Sequence, residues 1–181
     1  DYGATWSALV NPDGIAFAEI ARAADERWWA VYKYTPAAPD EIRVAFSDDR
    51  GDTWFVSRVN ANLLIGLPVS VSCHPTDPNR IAMHWVTGAL GWRLDTTTDR
   101  GVTWTEQNPA QPDDGEVDSR AEWYADGIVA SASLGRLFKS VDDGVSWTLV
   151  YDGPVDFDDA QVTARGGLFG PIFWSYPKAG A

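Results

Sequence analysis

An eight-residue pattern that returns at near-constant intervals constrains this chain more than anything else in it. Ser47-Asp48-Asp49-Arg50-Gly51-Asp52-Thr53-Trp54 comes back as Thr97-Thr98-Asp99-Arg100-Gly101-Val102-Thr103-Trp104 and as Ser140-Val141-Asp142-Asp143-Gly144-Val145-Ser146-Trp147. The chain opens on the tail of a fourth copy, Asp1-Tyr2-Gly3-Ala4-Thr5-Trp6. Trp6 and Trp54 are 48 residues apart, Trp54 and Trp104 are 50 apart, and Trp104 and Trp147 are 43 apart. A period of that length is one supersecondary unit of about four short strands, which cannot bury its apolar face alone and must stack on its neighbours.

Each copy has the chemistry of a tight hairpin. The Asp carboxylate can accept hydrogen bonds from N–H groups of the turn, and the Gly supplies a φ > 0 position that other residues resist. The closing Trp starts the outgoing strand and anchors it in the core. Turn chemistry explains every position, so these Asp residues read as structural, not as metal ligands or catalytic acids. The pattern S/T-x-D-x-G-x-T/S-W resembles the Asp-box, or BNR repeat, of the sialidase-like superfamily, and the likeness runs along nearly the whole chain. The resemblance implies an all-β fold: a β-propeller of four-stranded antiparallel blades, with about four blade-equivalents here. It implies structural roles for Asp1, Gly3 and Trp6, for Ser47, Asp49, Gly51 and Trp54, for Thr97, Asp99, Gly101 and Trp104, and for Ser140, Asp142, Gly144 and Trp147.

Between these corners the sequence supplies strands. Arg80 to Val86 places Ile81, Met83 and Trp85 on one face and Ala82, His84 and Val86 on the other, and Ile42 to Phe46 alternates in the same way. His84 is expected on the solvent side. Pro75-Thr76-Asp77-Pro78-Asn79 is a turn between a strand over Val69 to Cys73 and the one from Arg80. The Ala-rich stretch from Glu19 reads as a strand, a turn at Ala24-Asp25-Glu26 and a second strand from Trp28 to Tyr34. Trp28 and Trp29 then point to opposite faces, so at least one belongs to the core.

The chain is expected to be a single propeller domain or a propeller fragment over 1–181. Strand D of a first blade covers 1–10, complete blades cover 15–60, 66–108 and 117–152, and the last strands cover 155–181. Two arrangements fit that division. The last strands could pair with the first in a self-closed four-blade ring, which removes exposed edges, or the chain could be part of a larger ring.

Charge and composition narrow the partners. The 14 Lys and Arg against 26 Asp and Glu leave a net charge of −12, which repels phosphate backbones and anionic lipid. Nucleic acid is not an expected partner, and no apolar run is long enough for membrane insertion. One Cys and two His exclude an internal disulfide and a Cys/His zinc site, and Cys73 reads as a small buried hydrophobe. A start at Asp1 without a signal-like segment is expected of a processed product or a fragment. No phosphate loop, zinc-protease helix or nucleophile elbow occurs.

Alternating strand direction puts the corners and the turns between first and second strands at one end; the resemblance implies that ligands bind on the loops of the other end, and loops on a rigid scaffold commonly carry function. Acidic residues crowd those loops: Glu106, Asp113, Asp114, Glu116 and Asp118 in one connection, Asp152, Asp156, Asp158 and Asp159 in the next. Tyr34, Asp40, Glu41, Trp92 and Arg93 join them. Candidate ligand contacts are Trp92, Arg93, Tyr34, Glu116 and Asp156, suited to a sugar, with calcium as the one ion the loops could hold and no other cofactor or metal expected. A glycoside hydrolase would need a carboxylate pair roughly 5 to 10 Å apart, for which Asp114, Asp118 and Asp158 are the candidates. Sialidase likeness also implies an arginine triad and a Tyr nucleophile. Arginines are present, with Tyr124 and Tyr176 among the tyrosines, but no Arg-Ile-Pro segment precedes the corners. The expectation is therefore a non-catalytic module for carbohydrate or protein-surface recognition, extracellular, at the cell surface or on a virion, in a homo-oligomer or larger assembly. The alternative is a glycoside hydrolase, sialidase-like or another exo-glycosidase.

Overall fold

The computed structural model describes residues 13, 17–36, 40–60, 66–87, 91–107, 121–124, 127–132, 136–152, 160–163 and 172–175. Strands β1 (Glu19–Arg22), β2 (Trp28–Tyr34), β3 (Glu41–Ser47) and β4 (Phe55–Asn60) form one antiparallel sheet in that order. Strands β5 (Gly66–Cys73), β6 (Ile81–Thr87), β7 (Gly91–Thr97) and β8 (Thr105–Gln107) form a second. A third contains β9 (Ala121–Tyr124), β10 (Gly127–Ala132), β11 (Arg136–Ser140) and β12 (Thr148–Asp152), and β13 (Ala160–Thr163) pairs with β14 (Ile172–Ser175). The first strand of each later sheet packs on the first two strands of the sheet before it: β5 on β1 and β2, β9 on β5 and β6, and β13 on β9 and β10. The strands proposed to close a ring through 1–10 lie outside the described residues.

Every described corner has one geometry. Asp49 Oδ1 accepts the Thr53 N–H at 2.8 Å, the Ser47 hydroxyl donates to Asp49 at 2.8 Å, and Gly51 N–H donates to Ser47 Oγ at 2.7 Å. Asp99 binds Thr103 and Thr97 in the same way, and Asp142 binds Ser146 and Ser140. Those donors, led by the Thr53, Thr103 or Ser146 hydroxyl, hold each carboxyl down at about 2. The corner Gly residues have φ of 97°, 82° and 92°, and the residues before them, Arg50, Arg100 and Asp143, are left-handed too. Two successive φ > 0 residues reverse the chain within the span that the Ser/Thr and Asp side chains bridge.

Corners also join sheets. A Cβ on Gly101 would meet the Trp29 ring and lie 2.7 Å from Ser57 Oγ, and one on Gly144 would lie 2.6 Å from Leu94 Cδ2. Thus each of these two corners sits on the preceding sheet at a spot only glycine fits. Ser57 Oγ donates to the Gly101 carbonyl at 2.7 Å and accepts from Trp104 Nε1 at 3.1 Å. Ion pairs repeat the contact: Arg100 reaches Asp25 at 2.5 Å, and Asp143 meets Arg80 at 3.6 Å. In both, the left-handed corner residue pairs with the first turn of the sheet before it.

The apolar core lies between sheets. Trp29, Val31, Ile42 and Val44 of the first sheet meet Val71, Ile81, Met83 and Trp85 of the second, with Trp104 against them. Ala82 and Leu94 on the second sheet's other face meet Ala121, Trp123 and Ile128 of the third, with Trp147 at the margin. Each fully buried large side chain contributes roughly 1.5 to 3 kcal/mol. Two expectations change here. His84, expected on the solvent side, is fully buried because the second sheet is covered on both faces. Of the corner tryptophans expected in the core, Trp54 is buried but Trp104 and Trp147 are only half-buried and pack against their clusters from the margin.

Candidate functional site

The end of the sheets opposite the corners carries a dense set of charged side chains. The strand ends Tyr34 and Glu41 define it on the first sheet, and Gly91 and Gln107 on the second. Arg43, on β3 near this end, donates from Nη1 to Asp13 Oδ2 at 2.8 Å and from Nε to Glu41 Oε2 at 2.8 Å. Its guanidinium lies 3.6 Å from the Tyr34 ring centroid. Tyr32 donates to the same Asp13 oxygen at 2.6 Å, and burial followed by that carboxylate pushes its phenol well up. Lys33 pairs with Asp40 at 2.7 Å. Nearer the corner of the second sheet, Arg93 reaches at 3.8 Å to Glu106, which was expected in a loop but lies in β8 opposite Asp95, and Arg58 of β4 meets that buried Asp95 of β7.

Of the candidate ligand contacts, Tyr34 and Arg93 are half-buried at this end, and Trp92 lies in β7 next to Arg93. Tyr34 and Arg93 lie on different sheets, each held by a charged neighbour. Glu116, Asp156 and the catalytic candidates Asp114, Asp118 and Asp158 lie outside the described residues, as do Asp1, Gly3 and Trp6. Among the described residues no three His, Cys, Asp or Glu side chains converge as a metal site would need. Sequence reasoning missed Asp13, Tyr32, Arg43, Arg58 and Asp95 as a group. An alignment of the repeats on their corners would have found Asp95, which falls where the other copies carry Ala45 and Phe138.

Chemically, the described cluster is a rigid, charge-compensated platform. Arg43 is occupied by two carboxylates and an aromatic ring, so it is fixed in place and not a free anion grip.

Solved structures extend the comparison. YCF48 from Cyanidioschyzon merolae superposes with a TM-score of 0.62 at 17% identity, over 84% of this chain and 45% of that one. A structure described as YCF48 bound to D1 peptide gives 0.59 at 16% identity, over 84% and 46%. Both are propellers, as is the Niastella koreensis GH74 enzyme, which gives 0.58 at 21% identity over 98% of this chain and 24% of that one. The fold is a β-propeller. This propeller chain spans less than half the length of the YCF48 structures and about a quarter of the GH74 enzyme. No protein-family model matches it, and no curated protein matches it in sequence.

Proposed function

We propose that this chain is an Asp-box propeller module that recognises a protein surface on its loop end and does not catalyse a reaction. One observation carries the reading: the described carboxylates at that end are committed to partners. Asp13 is held by Arg43 and Tyr32, Glu41 by Arg43, and Asp40 by Lys33. Hydrolysis of a glycoside needs two carboxyl groups with opposed protonation across a substrate gap, and carboxylates neutralised by arginine do not supply a general acid. A stiff platform with half-exposed Tyr and Arg suits contact with a partner. The neighbouring structure with a bound D1 peptide gives a precedent for peptide binding on this fold. An extracellular, cell-surface or virion setting and a larger assembly belong to the same proposal, with a glycan as the second class of ligand.

The competing reading is a glycoside hydrolase, favoured by the GH74 neighbour and by the acidic connections 108–120 and 153–159. Hydrolysis of a panel of aryl glycosides and sialosides separates the two. The proposal expects no turnover above background, together with peptide or glycan-array binding that Tyr34→Ala or Arg93→Ala weakens. Turnover abolished by Asp114→Asn, Asp118→Asn or Asp158→Asn would refute it.

A further inference from the structure

The seam between the first and second sheets holds a buried charge that the repeat does not require. Two residues before the Ser or Thr that opens each corner stand Ala45 in β3, Asp95 in β7 and Phe138 in β11. Two of those three are apolar, so the architecture itself needs no carboxylate there. Asp95 is 0% exposed. Its Oδ2 accepts from Asn60 Nδ2 at 2.7 Å and from Arg58 Nε at 3.1 Å, both on β4 across the seam. Its Oδ1 is buried with no donor.

The charges around it compensate only in part. From β4 comes Arg58, itself 26% exposed, and the neutral Asn60. From β8, directly opposite Asp95, comes the like-charged Glu106, and from β7 itself Arg93, which is turned to Glu106. Met83 and Trp85 of β6 line the same seam and carry no charge. A carboxylate with one oxygen unmet in such a place is costly, and a single solvent-touched guanidinium offsets little of that. Burial raises the Asp95 carboxyl above its ordinary range, while Asn60 and Arg58 oppose the rise and lose.

We propose that Asp95 is a proton-binding site that makes the joint between the first two blades pH-sensitive, the folded chain taking up one proton there on acidification and freeing Arg58 from its ion pair. Because the folded value lies above the unfolded one, the contribution runs opposite to that of an ordinary salt-bridged Asp. The stabilisation is fully present below the unfolded value and is lost as pH rises through the folded value. Between the two, the folding constant rises as pH falls, with one proton giving a slope that approaches about tenfold per pH unit.

The test is denaturant unfolding of the chain and of Asp95→Asn in steps from about pH 7.5 to about pH 4. The ratio of folding constants, parent over variant, should climb toward that slope as pH falls. Parallel profiles, or a ratio that falls, would overturn the proposal. A carbon-13 NMR titration of the Asp95 carboxyl in the parent gives an independent reading if the variant does not fold. A midpoint clearly above the ordinary Asp value of about 3.9 supports the site, and one at or below it rejects it.

Discussion

Replacing Gly101 by Ala adds one methyl group where the structure leaves no room for it. Gly101 has φ of 82°, and its added Cβ would press on the Trp29 ring and stand 2.7 Å from Ser57 Oγ. Neither neighbour can yield easily. Trp29 is fully buried, with Phe46 at 5.5 Å and Trp104 edge-on at 6.0 Å between ring centroids, and Ser57 is fixed by its bonds to the Gly101 carbonyl and Trp104. The left-handed backbone costs about 1 to 2 kcal/mol for a residue with a Cβ, and overpacking a seam adds about 1 to 3 kcal/mol. The expected loss is thus about 2 to 5 kcal/mol, a large share of the roughly 5 to 15 kcal/mol that holds a domain folded. Urea unfolding followed by tryptophan fluorescence measures it as a lower midpoint at unchanged slope. Val102→Ala, at a neighbouring side chain 82% exposed, is the control and should shift stability by no more than about 0.5 kcal/mol. If Gly101→Ala unfolds within about 0.5 kcal/mol of the parent, the corner does not sit on the preceding sheet and the seam described here is wrong.

Trp29→Ala should cost about 3 to 5 kcal/mol in the same assay, because it empties the centre of the first seam; a loss below about 1 kcal/mol would contradict that packing. The corner carboxylates Asp49, Asp99 and Asp142, held at about 2 in the folded chain, contribute stability that is present above the unfolded value and lost as pH falls toward about 2. Acid unfolding of Asp99→Asn should therefore show a shallower fall in that window than the parent. Cys73, whose thiol burial pushes up to about 12, should resist alkylation by iodoacetamide near neutral pH until the chain is unfolded in urea. Alkylation at equal rates in both states would refute its placement against the core.

The repeated octapeptide carried most of the legible information. Its spacing implied the four-stranded sheets, period-two alternation placed β3 and β6 close to their observed limits, and the turn at Ala24-Asp25-Glu26 placed β2. His84 escaped because alternation assigns one face of a strand to solvent, whereas a sheet inside a stack has none to offer. Arg50 and Arg100 escaped because nothing in Arg announces a left-handed backbone, which the adjoining side-chain bridge imposes; Asp143, a type that tolerates this region, carried the only hint. The Arg43 cluster joins Asp13 to a residue 30 positions away, and such a pairing depends on how loops fold back over strand ends. Asp95 was visible only by comparison with Ala45 and Phe138, a step that follows once the corners are aligned.

The seating of one repeat's corner on the sheet before it is the contact on which the whole arrangement depends, and proton NMR observes it directly. The Gly101 α-protons should show a strong nuclear Overhauser effect to the six-membered ring of Trp29 and chemical shifts displaced by its ring current, both lost on unfolding. Gly101 resonances at ordinary glycine positions, with no transfer to any tryptophan in the folded chain, would contradict the account.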